Sequence, residues 1–250
     1  MKPALAILPL LALLVPAPAQ AAPVSPVKAL KAQFMKGRGV RFTEFVTLSI
    51  KSAPGSTYMR AHGAVAFGRH GSVASKNSAT YKITLDFRNP VETIRIGETC
   101  YTRGGRDERR PLPSTGKSWL KRYDCHSSEP YSGQVLDVTD PDVLALLLRT
   151  TNHSRNTYRG KLSVLRLAKV SPGVEAVFDM RPEDGTVSYV LSLGKGRLPE
   201  HLTTTWQARS PVGPFVFTVD TEYSGWGSSV RISAPPASHV TTIPKKALPA

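Results

Sequence analysis

Two cysteines, six histidines and a few acidic clusters are the groups in this chain with chemistry beyond packing. Cys100 and Cys125 form an even pair, which in an exported chain reads as a disulfide. Closing a loop of that length stabilises a fold by roughly 3 kcal/mol in the chain-entropy model. A catalytic thiol is the alternative, and it needs a histidine partner that the sequence does not identify. His62, His70, His126, His153, His201 and His239 show neither HExxH nor His-x-His spacing. Cys125-His126 is an adjacent pair without the second cysteine two residues away that makes zinc spacing specific. Asp137, Asp140 and Asp142 are spaced like the opening of a calcium loop, but the required glycine and closing glutamate are missing. There is no G-x-S-x-G elbow and no glycine-rich phosphate loop. The expectation is a protein without metal or cofactor and without covalent chemistry. A catalytic triad assembled from distant positions is the route by which a hydrolase would escape this reading.

Charge is the other chemical signal. Thirty-three Lys and Arg against eighteen Asp and Glu give a formal net charge of +15. Such a chain, once exported, meets anionic envelope material first, although positive charge also serves plain solubility. The densest cluster is Arg103-Gly104-Gly105-Arg106-Asp107-Glu108-Arg109-Arg110. It reads either as a solvated hairpin tip or as a contact through Arg103, Arg106, Arg109 and Arg110 for anionic headgroups on a membrane surface. Export argues against a nucleic-acid partner for this RGG-like segment. Asn152-His153-Ser154 fits the short glycosylation pattern.

Export is read from the first 21 residues. Lys2 supplies a positive start, residues 4–15 are apolar, and Ala19-Gln20-Ala21 has the small-x-small pattern of a signal peptidase site. The apolar run is shorter than the roughly 20 residues a membrane span needs. Pro9, Pro16 and Pro18 argue against a buried helix. Cleavage is expected after Ala21. No cysteine follows the apolar run to take a lipid, so the mature chain is expected to be secreted, at the extracellular face of the envelope and not lipid-anchored. The mature part is expected to be one domain over residues 22–240, with a flexible tail at 241–250.

Positioning elements follow from periodicity. Ser25-Pro26 opens a helix carrying Val27, Leu30 and Phe34, which Gly37 stops. From Val40 the period becomes two: Val40, Phe42, Val46, Leu48 and Ile50 share a face, with Glu44 as the one polar intruder. Pro54-Gly55-Ser56 reads as a turn. Val65 and Phe67 mark a second strand, ended by residues 68–71. Tyr81, Ile83, Leu85 and Phe87 alternate through a third, ended by Asn89-Pro90. Ile94 and Ile96 lead to Cys100, and Trp119, Lys121 and Tyr123 mark a further strand. Asp140-Pro141-Asp142 caps a helix whose apolar side holds Val143, Leu144, Leu147 and Leu148. Leu162, Val164 and Leu165 begin another strand, and residues 174–180, 187–193, 202–206 and 215–223 alternate likewise, with an Asp-Gly hairpin turn at Asp184-Gly185. The Pro-rich stretch from Ala234 reads as a loose terminus.

The expected fold is α+β: a single curved antiparallel sheet, a half-barrel of about nine to eleven strands by the run-and-turn criterion, with helices over its concave face. Two short helices cannot cover one whole apolar face, so the sheet must curl or leave a greasy concavity. A sandwich whose halves fill each other's cores is the alternative.

Several motifs then carry a resemblance. They are Gly63-Ala64-Val65-Ala66-Phe67-Gly68 with Val73-Ala74-Ser75, Leu112-Pro113 through Gly116-Lys117-Ser118-Trp119-Leu120-Lys121, Asp140-Pro141 with Leu144 and Leu147, Thr157-Tyr158-Arg159-Gly160, and Tyr223-Ser224-Gly225-Trp226-Gly227 followed by Ile232 and Pro235. In order and spacing these resemble the LolA-like superfamily, and within it the LppX/LprG-type envelope lipid-binding lipoproteins. The resemblance implies a half-barrel with an acyl-holding cavity between sheet and helices. The family's lipidated cysteine is absent, which favours a soluble binder over a tethered shuttle. The expected ligand is a lipid or acylated molecule, lined by Phe42, Leu48, Val65, Phe67, Ile83, Leu85, Leu144, Leu148, Tyr189, Leu191, Phe215 and Phe217, in a monomer. The second reading is an envelope sensor that resembles RseB-type regulators and acts on a membrane protein partner.

Overall fold

The computed structural model describes residues 24–50, 53–83, 86–87, 90–104, 117–123, 131–149, 151–171, 185–208 and 214–242. Helix α1 (Pro26–Lys31) starts where Ser25 Oγ accepts the Lys28 amide and Pro26 takes the first turn. Gly37 then adopts φ +81, the left-handed conformation that reverses the chain into the sheet. Three long strands follow, β1 (Arg38–Ile50), β2 (Ala53–Phe67) and β3 (Ser72–Ile83). Next come β4 (Asp86–Phe87), β5 (Val91–Ile96), β6 (Thr99–Arg103) and β7 (Trp119–Tyr123). Helix α2 (Pro141–Arg149) precedes β8 (Thr151–Ser154), β9 (Thr157–Ser163) and α3 (Val164–Ala168). The chain ends with β10 (Thr186–Leu193), β11 (Pro199–Ala208), β12 (Phe215–Ser229) and β13 (Val240–Thr242).

These strands form one large open sheet in the order β13-β7-β6-β5-β3-β2-β1-β12-β11-β10-β9-β8, with β4 paired to the end of β3. Thirteen strands are described, more than the nine to eleven expected, because short strands such as β4, β8 and β13 carry too few residues to show a period. Pairing is antiparallel apart from β13, which runs parallel to β7. Residues 230–239 cross the sheet to reach that edge, and a long crossover is what a parallel pair requires.

Five local expectations are corrected. Helix α1 ends at Lys31 with Ala32 as its cap, so Phe34 lies outside it and Gly37 turns the chain into β1 instead of stopping the helix. Pro54-Gly55-Ser56 lies inside β2, whose ladder with β1 starts at Ala53 opposite Ile50. Val164 and Leu165 belong to α3, which Ser163 caps by accepting the Arg166 amide; a cap overrides a short apolar run. The run from Thr80 to Arg88 is not one strand, since Phe87 pairs back onto Lys82. The stretch from Ala234 is not loose as far as Thr242, because β13 pairs with β7 and the Ser118 amide donates to the His239 carbonyl. The strand expected at residues 174–180 and the turn at Asp184 lie outside the described residues, as do residues 1–23 and 243–250.

Residues paired across strands share a face. One face carries Val40, Phe42, Glu44, Val46 and Leu48 of β1, opposite Val65, Gly63, Ala61, Met59 and Ser56 of β2. On the other side β1 meets Tyr223, Thr221, Val219 and Phe217 of β12. The helices and residues 131–140 pack on this inner face: Leu30, Leu136, Leu144 and Leu147 join Val40, Phe42, Val65, Tyr189, Leu191 and Leu202 in one buried cluster. The Tyr189 hydroxyl ties the layers by donating to the Leu147 carbonyl at 2.6 Å. The outer face carries Arg41, Thr43 and Phe45, with Phe45 46% exposed.

Candidate functional site

The inner face divides along its strands. At one end, α1, α2 and residues 131–140 close it. Asp140 Oδ1 accepts the amides of Asp142 (2.7 Å) and Val143 (3.3 Å), so α2 begins as its sequence implies. Before it, the Asp137 carboxylate accepts the Thr139 amide (2.9 Å), the Thr139 hydroxyl (2.6 Å) and the Tyr131 hydroxyl (3.3 Å). Burial pushes the Asp137 pKa upward, and the Thr139 bonds offset part of that shift. Tyr131 sets its ring edge-on to Phe42 with centroids 4.7 Å apart, and meets Tyr223 at 6.0 Å. This segment is a plug held by both polar and aromatic contacts.

Glu44 lies under the plug and is fully buried. Its oxygens make no hydrogen bond of good geometry, though the backbone N–H groups of Gly133, Gln134 and Ser132 face it. Burial raises its pKa from 4.5 to about 7, and those amides pull the other way. Gln134 beside it bridges two strands: its amide donates to Thr221 Oγ1 (3.0 Å) and its carbonyl oxygen accepts the Thr204 hydroxyl (2.9 Å). Gly133 fits so closely that a Cβ there would lie 2.6 Å from Val46 Cγ2 and 3.0 Å from Glu44 Oε1. The closed end of the inner face therefore stops at the level of Glu44, Val46 and Met59.

Beyond that level the face continues in apolar side chains, from buried Trp206 through half-buried Leu48, Phe217 and Tyr81 to exposed Tyr58. Leu48 pairs with Phe217, and Trp206 pairs with Phe217 from the other side. The Trp206 and Phe217 rings stack at 4.3 Å and 14°. Tyr58 stands edge-on to Phe217 (6.3 Å) and to Tyr81 (5.9 Å). The register between β1 and β2 slips here, with Val46 opposite Met59 but Thr47 opposite Thr57, so Tyr58 is the extra residue of a bulge. Its ring contacts place it with the inner-face aromatics. Val46, Met59, Ala61, Ala79 and Val219 form the buried floor of this second cluster, with Tyr81 and Phe217 at its margin.

The residues expected to line a cavity fall into three groups. Phe42, Val65, Phe67, Leu144, Tyr189 and Leu191 are at most 2% exposed and pack on one another; side chains without accessible surface border no space that water could enter. Leu148 and Phe217 are half-buried at the margin of that core, while Leu48 and Phe215 are half-buried on the open end. Ile83 ends β3 and Leu85 lies outside the described residues. Of the headgroup candidates, Arg103 is engaged, 2.7 Å from Glu92 and 4.7 Å from the Trp119 ring centroid. Arg106, Arg109 and Arg110 lie outside the described residues. Cys100 is buried and is not a free thiol, and Cys125 also lies outside the described residues. Among the described residues no group of three metal-ligating side chains occurs, and no helix is long and apolar enough to cross a membrane.

Tyr58 and Trp206 were not among the residues expected at the site. Trp206 belongs to an alternating run with Leu202 and Thr204, so its face was readable. Tyr58 was hidden by the apparent turn before it and by the bulge.

These features define a class: a large open, mostly-strand sheet with few helices, one face closed by them in part. A LolA superfamily protein, NE2245 from Nitrosomonas europaea, is among the similar solved structures, at 8% identity over 80% of this chain and 90% of that one, with a TM-score of 0.34. Others are transferrin binding protein B from serogroup B Neisseria meningitidis (8% identity, 80% of this chain and 27% of that one, TM-score 0.27) and a DUF1329 family protein from Desulfovibrio piger (10% identity, 80% and 92%, TM-score 0.24). Likenesses this slight carry no argument about ligand or role. No protein-family model and no curated protein matches the chain.

Proposed function

We propose that this protein is a non-enzymatic binder of a lipid or other long apolar molecule, held on the inner sheet face past the plug. One observation carries the reading: the apolar face continues beyond Glu44 as half-buried Leu48, Phe217 and Tyr81 with exposed Tyr58 over a floor of Val46, Met59 and Val219. Aromatic and aliphatic surface in that state gains about 25 cal/mol per Å² when an apolar guest covers it, offset by the cost of ordering the guest. Bound acyl chain would stack along Trp206 and Phe217, with the plug as its end stop. Leu144, Leu191 and their neighbours then serve as scaffold. The reading includes an exported, unanchored chain acting at the envelope, with a Cys100–Cys125 bridge; intact mass before and after reduction tests the bridge.

The ligand test is native mass spectrometry of the purified chain, followed by titration with a fluorescent fatty-acid probe. Co-purifying lipid, or probe binding that Leu48→Asp or Phe217→Asp weakens at least tenfold, is expected. Absence of both lipid and probe binding in the folded chain would sink the proposal.

A further inference from the structure

The opposite face of the sheet holds a second feature, independent of the apolar site. After β12 the chain turns onto the outer face, where Val230 is buried against Ala66 and Ala74, with Ile232 packed beside them. The Val230 amide donates to the Gly37 carbonyl (3.1 Å), fixing where the crossing begins. Between this crossing segment and the strands beneath lies a cleft of about 460 Å³.

Strand register explains its chemistry. Ser224, Arg41, Ala64 and Lys76 are consecutive partners across β12, β1, β2 and β3, so they form one row on one face. Neighbouring strands lie about 4.8 Å apart, which sets Arg41 and Lys76 about 10 Å apart at their backbones with only the Ala64 methyl between them. The adjacent row brings His62, the partner of Thr43 and Ser78, to the same opening. The crossing segment adds Arg231 from above. Arg41 donates to the Ser228 hydroxyl (3.1 Å), a neutral partner. Lys76 approaches Glu92 only at 3.9 Å, and that carboxylate already meets Arg103 at 2.7 Å. Among the described residues no carboxylate pairs with Arg41 or Arg231, and none lines the cleft.

Three cations lining one cleft over a small-residue floor, of which only Lys76 approaches a carboxylate and that one at 3.9 Å, form a site for an oxyanion. Guanidinium groups match phosphate geometry through paired N–H donors, and charge-assisted bonds of this kind are stronger than neutral ones. We propose that the outer-face cleft bounded by Arg41, Lys76 and Arg231 binds a phosphate-type group, either as a free phosphate ester or as a phospholipid headgroup. Half-buried Ile232 also lines the cleft, which suits a phosphate carried on an organic stem rather than bare inorganic phosphate.

The test uses the purified chain and glycerol phosphate as probe, followed by amide chemical shifts. Saturable shifts at Ala64, Ser78, Ser229 and Arg231 are expected, and the triple variant Arg41→Gln/Lys76→Gln/Arg231→Gln should weaken binding at least tenfold. A charge-matched control, Lys161→Gln/Arg166→Gln/Lys169→Gln on β9, α3 and the α3 C-cap, should leave it unchanged. Shifts scattered over all basic surface, or equal weakening in the control, would overturn the proposal. If the triple variant does not fold, the single variant Arg231→Gln on the crossing segment is read instead, with a loss of at least threefold expected and no loss overturning it. Vesicles of phosphatidylcholine with and without phosphatidylglycerol distinguish the two sources. Cleft-dependent vesicle binding that glycerol phosphate competes away assigns a headgroup, and soluble binding without vesicle binding assigns a free ester. Fatty-acid probe binding is read in parallel, so failure here leaves the apolar site standing and the reverse also holds.

Discussion

The two ends of the inner sheet face are built from the same alternation and meet different fates. Near α1 and α2, Val40, Phe42, Val65 and Leu191 are buried to completion against Leu30, Leu144 and Leu147. Past the plug, Leu48, Phe217 and Tyr81 have the same apolar character but remain half-buried. The difference lies in what stands over them, not in the strands. An amphipathic helix can cover only the length of strand it crosses, and α2 is nine residues long, so about 14 Å at 1.5 Å per residue. β1 alone has thirteen residues, or about 44 Å at roughly 3.4 Å each. Apolar alternation therefore marks a face without saying whether protein or ligand fills it.

The comparison breaks most readily at the closed end. Leu144→Ala should cost about 3 kcal/mol in chemical denaturation, because a fully buried leucine leaves a cavity its neighbours cannot close. A loss under about 1 kcal/mol would mean that this end is as loose as the other.

Glu44 sharpens the boundary between the ends. Its folded pKa of about 7 stands above the ordinary 4.5. Below the ordinary value the side chain is neutral in both states and costs nothing. As pH rises from there to about 7 the unfolded chain ionises first, so stability falls, by an amount on the order of 3 kcal/mol once the pH exceeds the folded value. Glu44→Gln should flatten that slope, matching the native chain near pH 4 and exceeding its stability near pH 8. An unchanged pH profile in urea unfolding would show the carboxylate to be solvated.

Leu48→Ser should weaken fatty-acid probe binding about tenfold, equivalent to about 1.4 kcal/mol, while costing no more than about 1 kcal/mol of stability at its half-buried site. The reverse order, large destabilisation with unchanged affinity, would make the open end a core like the other. The smallest effect is expected from Asp140→Ala. Loss of its two amide bonds should destabilise α2 by about 1 kcal/mol and leave probe affinity unchanged, since α2 covers only the closed end.

Legibility followed the range of the interactions. The caps at Ser25 and Asp140 and the faces of β1, β10 and β12 were readable because each depends on residues within a few positions of one another, whereas the end of α1 at Lys31, before Gly37, was not. The Ser163 cap was equally local, but a run of apolar residues masked it. The bulge at Tyr58 was not readable, since it exists only in the register between β1 and β2. Nor was the burial of Glu44, which depends on Gly133 and Gln134 arriving from about ninety residues away. The site was half legible for the same reason: Leu48, Phe215 and Phe217 were named from alternation, but alternation equally named Phe42, Val65 and Leu191, which the core absorbs.

The sequence by itself determined a mostly-strand chain with one apolar face per strand, its helix caps and its strong positive charge, because side-chain period and capping are local properties of the backbone. The tertiary structure alone decided which stretch of that face the helices close, that residues 131–140 end the closed part at Glu44, and that the chain returns across the outer face to set Arg231 over Arg41 and Lys76. Those outcomes are fixed by strand register and by how far short helices reach, and neither is written in any one segment.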